Sequence, residues 1–198
     1  MRPSNNALIV IDVQNDFCPG GALAVTGGDD IVAGINSLMA DFTTVILTQD
    51  WHPERHSSFA STHGADPFTT TQMPYGPQML WPDHCVQGTQ GAAFHPALHT
   101  HGDLIIRKGY NPAIDSYSAF FENDKTTPTG LEGYLRARGI DTTTIVGLAL
   151  DYCVNFSAQD AAKLGFKTTV ITDLCRAIDA TTEARARSDM AALGVELV

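Results

Sequence analysis

Residues 7–11 read ALIVI, and Asp12 follows at once. An apolar run this short, rich in β-branched side chains, has the texture of a strand covered on both faces. The texture returns at Thr44–Thr48 (TVILT), Leu104–Arg107 (LIIR), Thr144–Leu148 (TIVGL), Thr168–Thr172 (TTVIT) and Val195–Val198, giving six candidate strands. Helical patterns lie between them. Asp29–Phe42 puts Ile31, Ile35, Leu38, Met39 and Phe42 on one face, with Asp29 or Asp30 as cap. Thr129–Arg138 turns Leu131, Tyr134 and Leu135 inward and is closed by Gly139. Asp151–Leu164 offers Ser157, Ala158, Ala161 and Ala162 for close packing, and Thr181–Leu193, capped by Thr181 or Thr182, comes last. Strand and helix in alternation predict the α/β class: a doubly wound, six-stranded, mainly parallel sheet with helices on both faces.

The 198 residues, 43% of them apolar, with 17 Gly and 10 Pro, fit one domain over 1–198. Such a chain buries roughly 70% of its unfolded surface, so neither a disulfide nor a structural metal is needed for folding. Any metal would serve chemistry. Twelve Lys and Arg against twenty-two Asp and Glu give a net charge of -10 without a basic run, which argues against nucleic acid as a partner. No stretch approaches the roughly 18 apolar residues of a membrane helix, and Asp12 stops the first apolar run before it could form a signal-peptide core. The expectation is a soluble, cytoplasmic protein that does not engage a membrane. Cys18, Cys85, Cys153 and Cys175 are widely spaced, as reduced thiols would be.

From Trp51 to His101 the pattern lapses into some fifty residues rich in Pro, Gly, His and Thr. Ordinary connections run about 4–6 residues, so this segment reads as functional. Its clusters DWHPERH and MLWPDHC favour order over disorder.

Parallel sheets bind ligands beyond the carboxyl ends of their strands. Here those ends are polar: Asp12 follows the first strand, Asp50 and His52 the second, Lys108 the third and Cys153 the fourth. At a helix start Cys153 is a candidate nucleophile, because exposed N–H groups stabilise a thiolate. Lys108 would lower its pKa, and Asp12 would take and return its proton. Asp16 and Asp115 are weaker acids, read as a loop residue and turn chemistry. Asp50-x-His52 has the spacing of metal ligands on an extended segment, and His84 is the third choice, with His56 and His63 competing. His95, His99 and His101 read as surface residues, and Cys18, Cys85 and Cys175 as packing residues, with Cys175 placed after the fifth strand. Phe17 and Trp81 are candidate aromatic walls. An Asp-His-His set suits zinc, iron(II) or manganese.

The segments ALIVIDVQNDFCPGGALAV, TQDWHPERHSSFA, LWPDHCVQGTQGAAFHP, IIRKGYNPAIDSYSAF and GLALDYCVNFSAQDA make the chain similar, nearly end to end, to the nicotinamidases of the isochorismatase-like cysteine hydrolase superfamily. The resemblance implies hydrolysis of nicotinamide to nicotinate and ammonia in NAD salvage, with pyrazinamide as a second substrate. It implies a triad of Asp12, Lys108 and Cys153, and a divalent metal, zinc first, on Asp50, His52 and His84. Ser58, His56 or water would fill the fourth position. Phe17 and Trp81 would sandwich the ring, and a cis peptide before Ala149 would bring its N–H together with that of Cys153 as an oxyanion hole. Leu150 stands where relatives often have Thr. Three rivals remain at this stage: an amidohydrolase acting on a carbamoyl or ureido compound, an isochorismatase, and a non-catalytic sensor of a pyridine metabolite. A homo-oligomer is left open.

Overall fold

The computed structural model describes residues 5–198. The ALIVI run forms β1 (Asn6–Ile11). After it come α1 (Val32–Met39), β2 (Val45–Asp50), a single-turn α2 (Ala60–His63), β3 (Thr70–Met73), β4 (Gly76–Met79) and β5 (Leu104–Lys108). The second half runs α3 (Leu131–Ala137), β6 (Thr142–Leu148), α4 (Asn155–Lys163), β7 (Lys167–Arg176), α5 (Ala180–Ala192) and β8 (Glu196–Leu197). The six expected strands form one sheet in the order β5-β2-β1-β6-β7-β8, and every pairing in it is parallel.

Alternation along β1 feeds two cores, as a pleated strand must. Ala7, Ile9 and Ile11 join Leu131 and Leu135 of α3, Ala158 and Ala161 of α4 and Met190 of α5. Leu8 and Val10 meet Val32 and Ile35 of α1 on the opposite face. Helices therefore cover both faces. The order reverses between β1 and β6, and a crevice opens at that switch point beyond the strand ends.

Several boundaries differ from the sequence reading. β2 runs on to Asp50 because Gln49 and Asp50 continue the ladder opposite Arg107 and Lys108. β7 reaches Arg176 and takes in Cys175, which therefore lies within the strand. α1 starts only at Val32 without a side-chain cap, since backbone turns such as Val32 N–H to the Asp29 carbonyl occupy the residues before it. α5 is capped by Asp179, whose carboxylate accepts from the N–H groups of Thr181 and Thr182. α3 follows Gly130, with the Thr129 hydroxyl accepting the Leu131 N–H.

The long segment after β2 is ordered by distant partners more than by its own periodicity. β3 and β4 make an antiparallel hairpin outside the main sheet, and single bridges join His52 to Val86 and Phe59 to Trp81. Gln14, fully buried just past β1, donates to the carbonyls of Asp50 and Ala92 and accepts the Asp50 N–H, each at 2.8 Å.

At the crossover, Gly147 pairs with Ile11 and has a φ of 120°. A Cβ there would lie 2.1 Å from the Ile11 carbonyl oxygen, so both the backbone angle and the space demand glycine. Gly147→Ala is expected to cost about 3 kcal/mol or more in urea unfolding; an unchanged midpoint would contradict this packing.

Candidate active site

Opposition of Asp50 and Lys108 in the β2–β5 ladder brings their side chains together at the sheet's carboxyl edge. Lys108 Nζ, fully buried, lies 2.7 Å from Asp50 Oδ1, 2.8 Å from Asp12 Oδ2, 2.9 Å from the Ser116 carbonyl and 3.5 Å from Cys153 Sγ. Asp12 reaches it from the end of β1 in a left-handed conformation, φ 47°. Thr48 of β2 holds it there, its hydroxyl donating to Asp12 Oδ1 at 2.5 Å and accepting the Asp12 N–H at 3.1 Å. The residues after β6 form a wide π-type turn, Leu150–Val154, before α4 begins, so Cys153 sits inside that turn. The Ala149 carbonyl accepts from the N–H groups of Tyr152 and Val154, and the Leu148–Ala149 peptide is cis.

One ammonium between two carboxylates divides their roles. Burial pushes the Asp12 carboxyl up, and the Asp50 charge adds to this against the pull of Lys108. Asp50 is also penalised by burial, but Lys108 and His52 hold it well below the usual carboxylate range. Burial disfavours the Lys108 ammonium, yet Asp12 and Asp50 outweigh it and keep the lysine charged. Burial raises the Cys153 thiol well above its ordinary value; Lys108 lowers it, as the sequence suggests, without prevailing. The resting sulfur is therefore a thiol, and its proton has a neighbour in Asp12 suited to accept it.

Next to this cluster stand Asp50, His52 and His84, whose ligand atoms lie within 4.8 Å of one another. His52 Nδ1 faces the Gly109 carbonyl at 2.9 Å, and His84 Nδ1 faces the Pro82 carbonyl at 2.8 Å. A carbonyl only accepts, so both rings donate from Nδ1, and in the neutral form each presents a bare Nε2. Those Nε2 atoms are 3.3 and 3.5 Å from Asp50 Oδ2, and that of His52 is buried without a hydrogen-bond partner. Burial disfavours a charge on His52, but the Asp50 carboxylate reverses the sign and raises its pKa, so the site attracts positive charge. An orphaned lone pair beside a second imidazole and a carboxylate fits a divalent cation. Gly109 is required here, since a Cβ would lie 2.5 Å from His52 Cε1.

The competing ligands are engaged elsewhere. His56 Nε2 donates to the Asn111 carbonyl while its Nδ1 accepts from Ser58, which ties up both proposed fourth groups. His63 bonds the Ser57 carbonyl. Cys18, Cys85 and Cys175 are buried free thiols; burial lifts Cys18 to about 11 and Cys175 to about 12. Asp16 braces its loop by accepting the N–H groups of Cys85 and Ala22.

Over these groups lies a cleft of about 330 Å³, open solvent at its mouth included, walled by Phe17, Trp81 and Ala149 and floored by Asp50, His84 and Cys153. Four further wall residues, Leu23, Tyr117, Tyr152 and Ile178, escape sequence reasoning, and Asp115 faces the cleft instead of serving a turn alone. The Tyr117 hydroxyl accepts from Trp81 Nε1 at 3.1 Å and Gln78 Nε2 at 2.9 Å, fixing the indole. Tyr152 packs edge-on to Trp81, with centroids 4.8 Å apart.

A family profile described as the isochorismatase domain matches residues 6–198. A nicotinamidase of Acinetobacter baylyi is 56% identical, over 100% of this chain and 94% of the relative. The solved Acinetobacter baumanii nicotinamidase/pyrazinamidase superposes with a TM-score of 0.98 at 53% identity, covering 100% of this chain and 97% of that one. The pyrazinamidase of Pyrococcus horikoshii, solved in complex with zinc, gives a TM-score of 0.81 at 36% identity, covering 98% of both chains.

Glu122 is a buried carboxyl outside the proposed triad and ligand set. Glu122 is 1% exposed, its Oε2 has no hydrogen-bond partner, and burial, aided by Asp115 and opposed by Lys108, pushes its pKa from 4.5 up to about 7. The folded state thus holds this proton more tightly than the unfolded one. Its contribution to stability is complete below pH 4.5 and is lost as pH rises through about 7. Glu122→Gln is expected to stabilise the protein by about 1–3 kcal/mol at pH 8 and to change nothing at pH 4, as urea unfolding at the two pH values would record.

Proposed function

The chain belongs to the isochorismatase-domain family, and from that premise we propose that it is a nicotinamidase, an amide hydrolase converting nicotinamide and water to nicotinate and ammonia. Its place is NAD salvage in the cytoplasm, with pyrazinamide as a second substrate and residues 1–198 working as one hydrolase domain with the metal loop at 51–101. The observation that carries the reading is the convergence of Asp12 and Lys108 beneath Cys153, which floors an aromatic cleft. Identity to named nicotinamidases over the whole chain supports it. No helix among the described residues is long and apolar enough to cross a membrane.

In the proposed reaction Asp12 takes the Cys153 thiol proton as sulfur attacks the amide carbon. Lys108 stays protonated throughout, keeping Asp12 and the sulfur together and compensating the charge that moves between them. The oxyanion is received by the N–H groups of Ala149 and Cys153. Asp12 then gives its proton to the departing nitrogen, ammonia leaves, and a nicotinoyl thioester remains on Cys153. Water, deprotonated by the same carboxylate, attacks the thioester; nicotinate is released and the thiol regains its proton. Phe17 and Trp81 hold the ring between them. Asp50, His52 and His84 would hold the divalent ion, zinc in the first instance and iron(II) or manganese otherwise, which when bound supplies a Lewis-acidic anchor orienting the pyridine nitrogen.

The decisive assay is ammonia release from nicotinamide by protein of known metal content. Cys153→Ala should lower the rate by about 10³-fold or more while nicotinamide still binds; comparable release by the variant would refute the thioester route. Chelation should abolish most of the activity and added zinc should restore it, whereas full activity after chelation would remove the ion from the reading. Because Asp12 must be ionised and its pKa is raised, kcat/KM should fall on acidification at a pH above the ordinary aspartate value of 3.8.

A further inference from the structure

Beside Asp50, His52 and His84 the cleft carries one more acceptor. Asp115, on the loop after β5, is 2% exposed and lines the same cleft as Asp50 and His84. Its Oδ1 lies 3.9 Å from the bare Nε2 of His52. Only N–H donors attend it otherwise: the Ser116 backbone at 2.8 Å on Oδ1, and Gln78 Nε2 at 2.8 Å on Oδ2. Among the described residues no lysine or arginine pairs with it. Gln78 is itself fixed, since its Oε1 accepts from Asn123 at 3.0 Å and Tyr75 at 3.2 Å, so the carboxylate has one direction.

A buried carboxylate this close to a buried imidazole calls for positive charge near both, a proton or a cation. Asp50 does not relieve this, being an anion already shared with Lys108. The ligand atoms of Asp50, His52 and His84 group together, and Asp115 forms a second group with the same His52 and with His56; Asp50 and Asp115 both face His52 Nε2. His56 has both nitrogens engaged, leaving Asp115 as the group there with a free lone pair. We propose that Asp115 is an outer carboxylate of the cation site, accepting a hydrogen bond from a water on the bound ion and tightening its retention. Such partners set the affinity of the ligands they support.

The inference rests on Asp50, His52 and His84 being the ligands, and the test separates the two claims. Zinc affinity of metal-stripped protein is measured by competition with a chromophoric chelator for the unaltered chain, Asp115→Asn and His84→Ala. Asp115→Asn should weaken zinc binding about tenfold or more, and the thermal midpoint of its zinc-free form should stay level. A merely structural carboxylate would lower that midpoint instead. Asp115→Ala gives the same affinity comparison should the amide fail to fold. Zinc binding by Asp115→Asn within twofold of the unaltered chain, with His84→Ala impaired, would overturn the role of Asp115 alone. Unimpaired binding by His84→Ala would overturn the ligand assignment, and this inference with it.

Discussion

Everything at the carboxyl edge of the sheet is arranged around one buried ammonium. Lys108 has no access to water and must be compensated inside the protein, because an isolated charge there costs several kcal/mol. Two carboxylates and a carbonyl supply that compensation within 2.7–2.9 Å. Asp50 arrives by strand register, and Asp12 by a left-handed residue clamped to Thr48. Losing either acid would leave the lysine short of one anionic partner, so the fold and the proposed reaction centre share a single electrostatic constraint. It explains why polar residues crowd the ends of strands otherwise so apolar.

The same cluster distributes protons. With two acids and one base in a dry site, one carboxylate can be fully stabilised and the other is left with a raised affinity for hydrogen ion. Asp50 holds the stabilised position, with Lys108 on one oxygen and two imidazoles near the other. Asp12 is left as the exchanger beside a thiol that keeps its own proton at rest. Separation of tasks between identical side chains follows from geometry alone.

Much of this was legible in the amino-acid order, and for a physical reason. A doubly covered strand announces itself by continuous apolar residues, so the first polar residues beyond it mark the sheet's edge; Asp12, Asp50 and Lys108 stand at or just past such ends, and Cys153 a short turn later. What stayed hidden depends on distant partners. Thr48 looks like any β-branched strand residue until its hydroxyl is seen on Asp12, thirty-six positions away. Gln14 and Gln78 hold the irregular segment through buried amide contacts that leave no period. Tyr117 and Tyr152 become walls only when the chain has closed over Trp81. A cap such as Asp179 is hidden in the sequence because the neighbouring threonines present equally good oxygens.

The cleft separates the groups proposed to react from those that merely enclose. Leu23, Tyr152 and Ile178 come from three unrelated stretches of chain, and none of their side chains bonds to Lys108, Asp12, Cys153 or the imidazoles. For an engineer these are the adjustable parts: the pocket's outline can be redrawn there to admit bulkier or differently substituted rings, while the wiring beneath is left as it is.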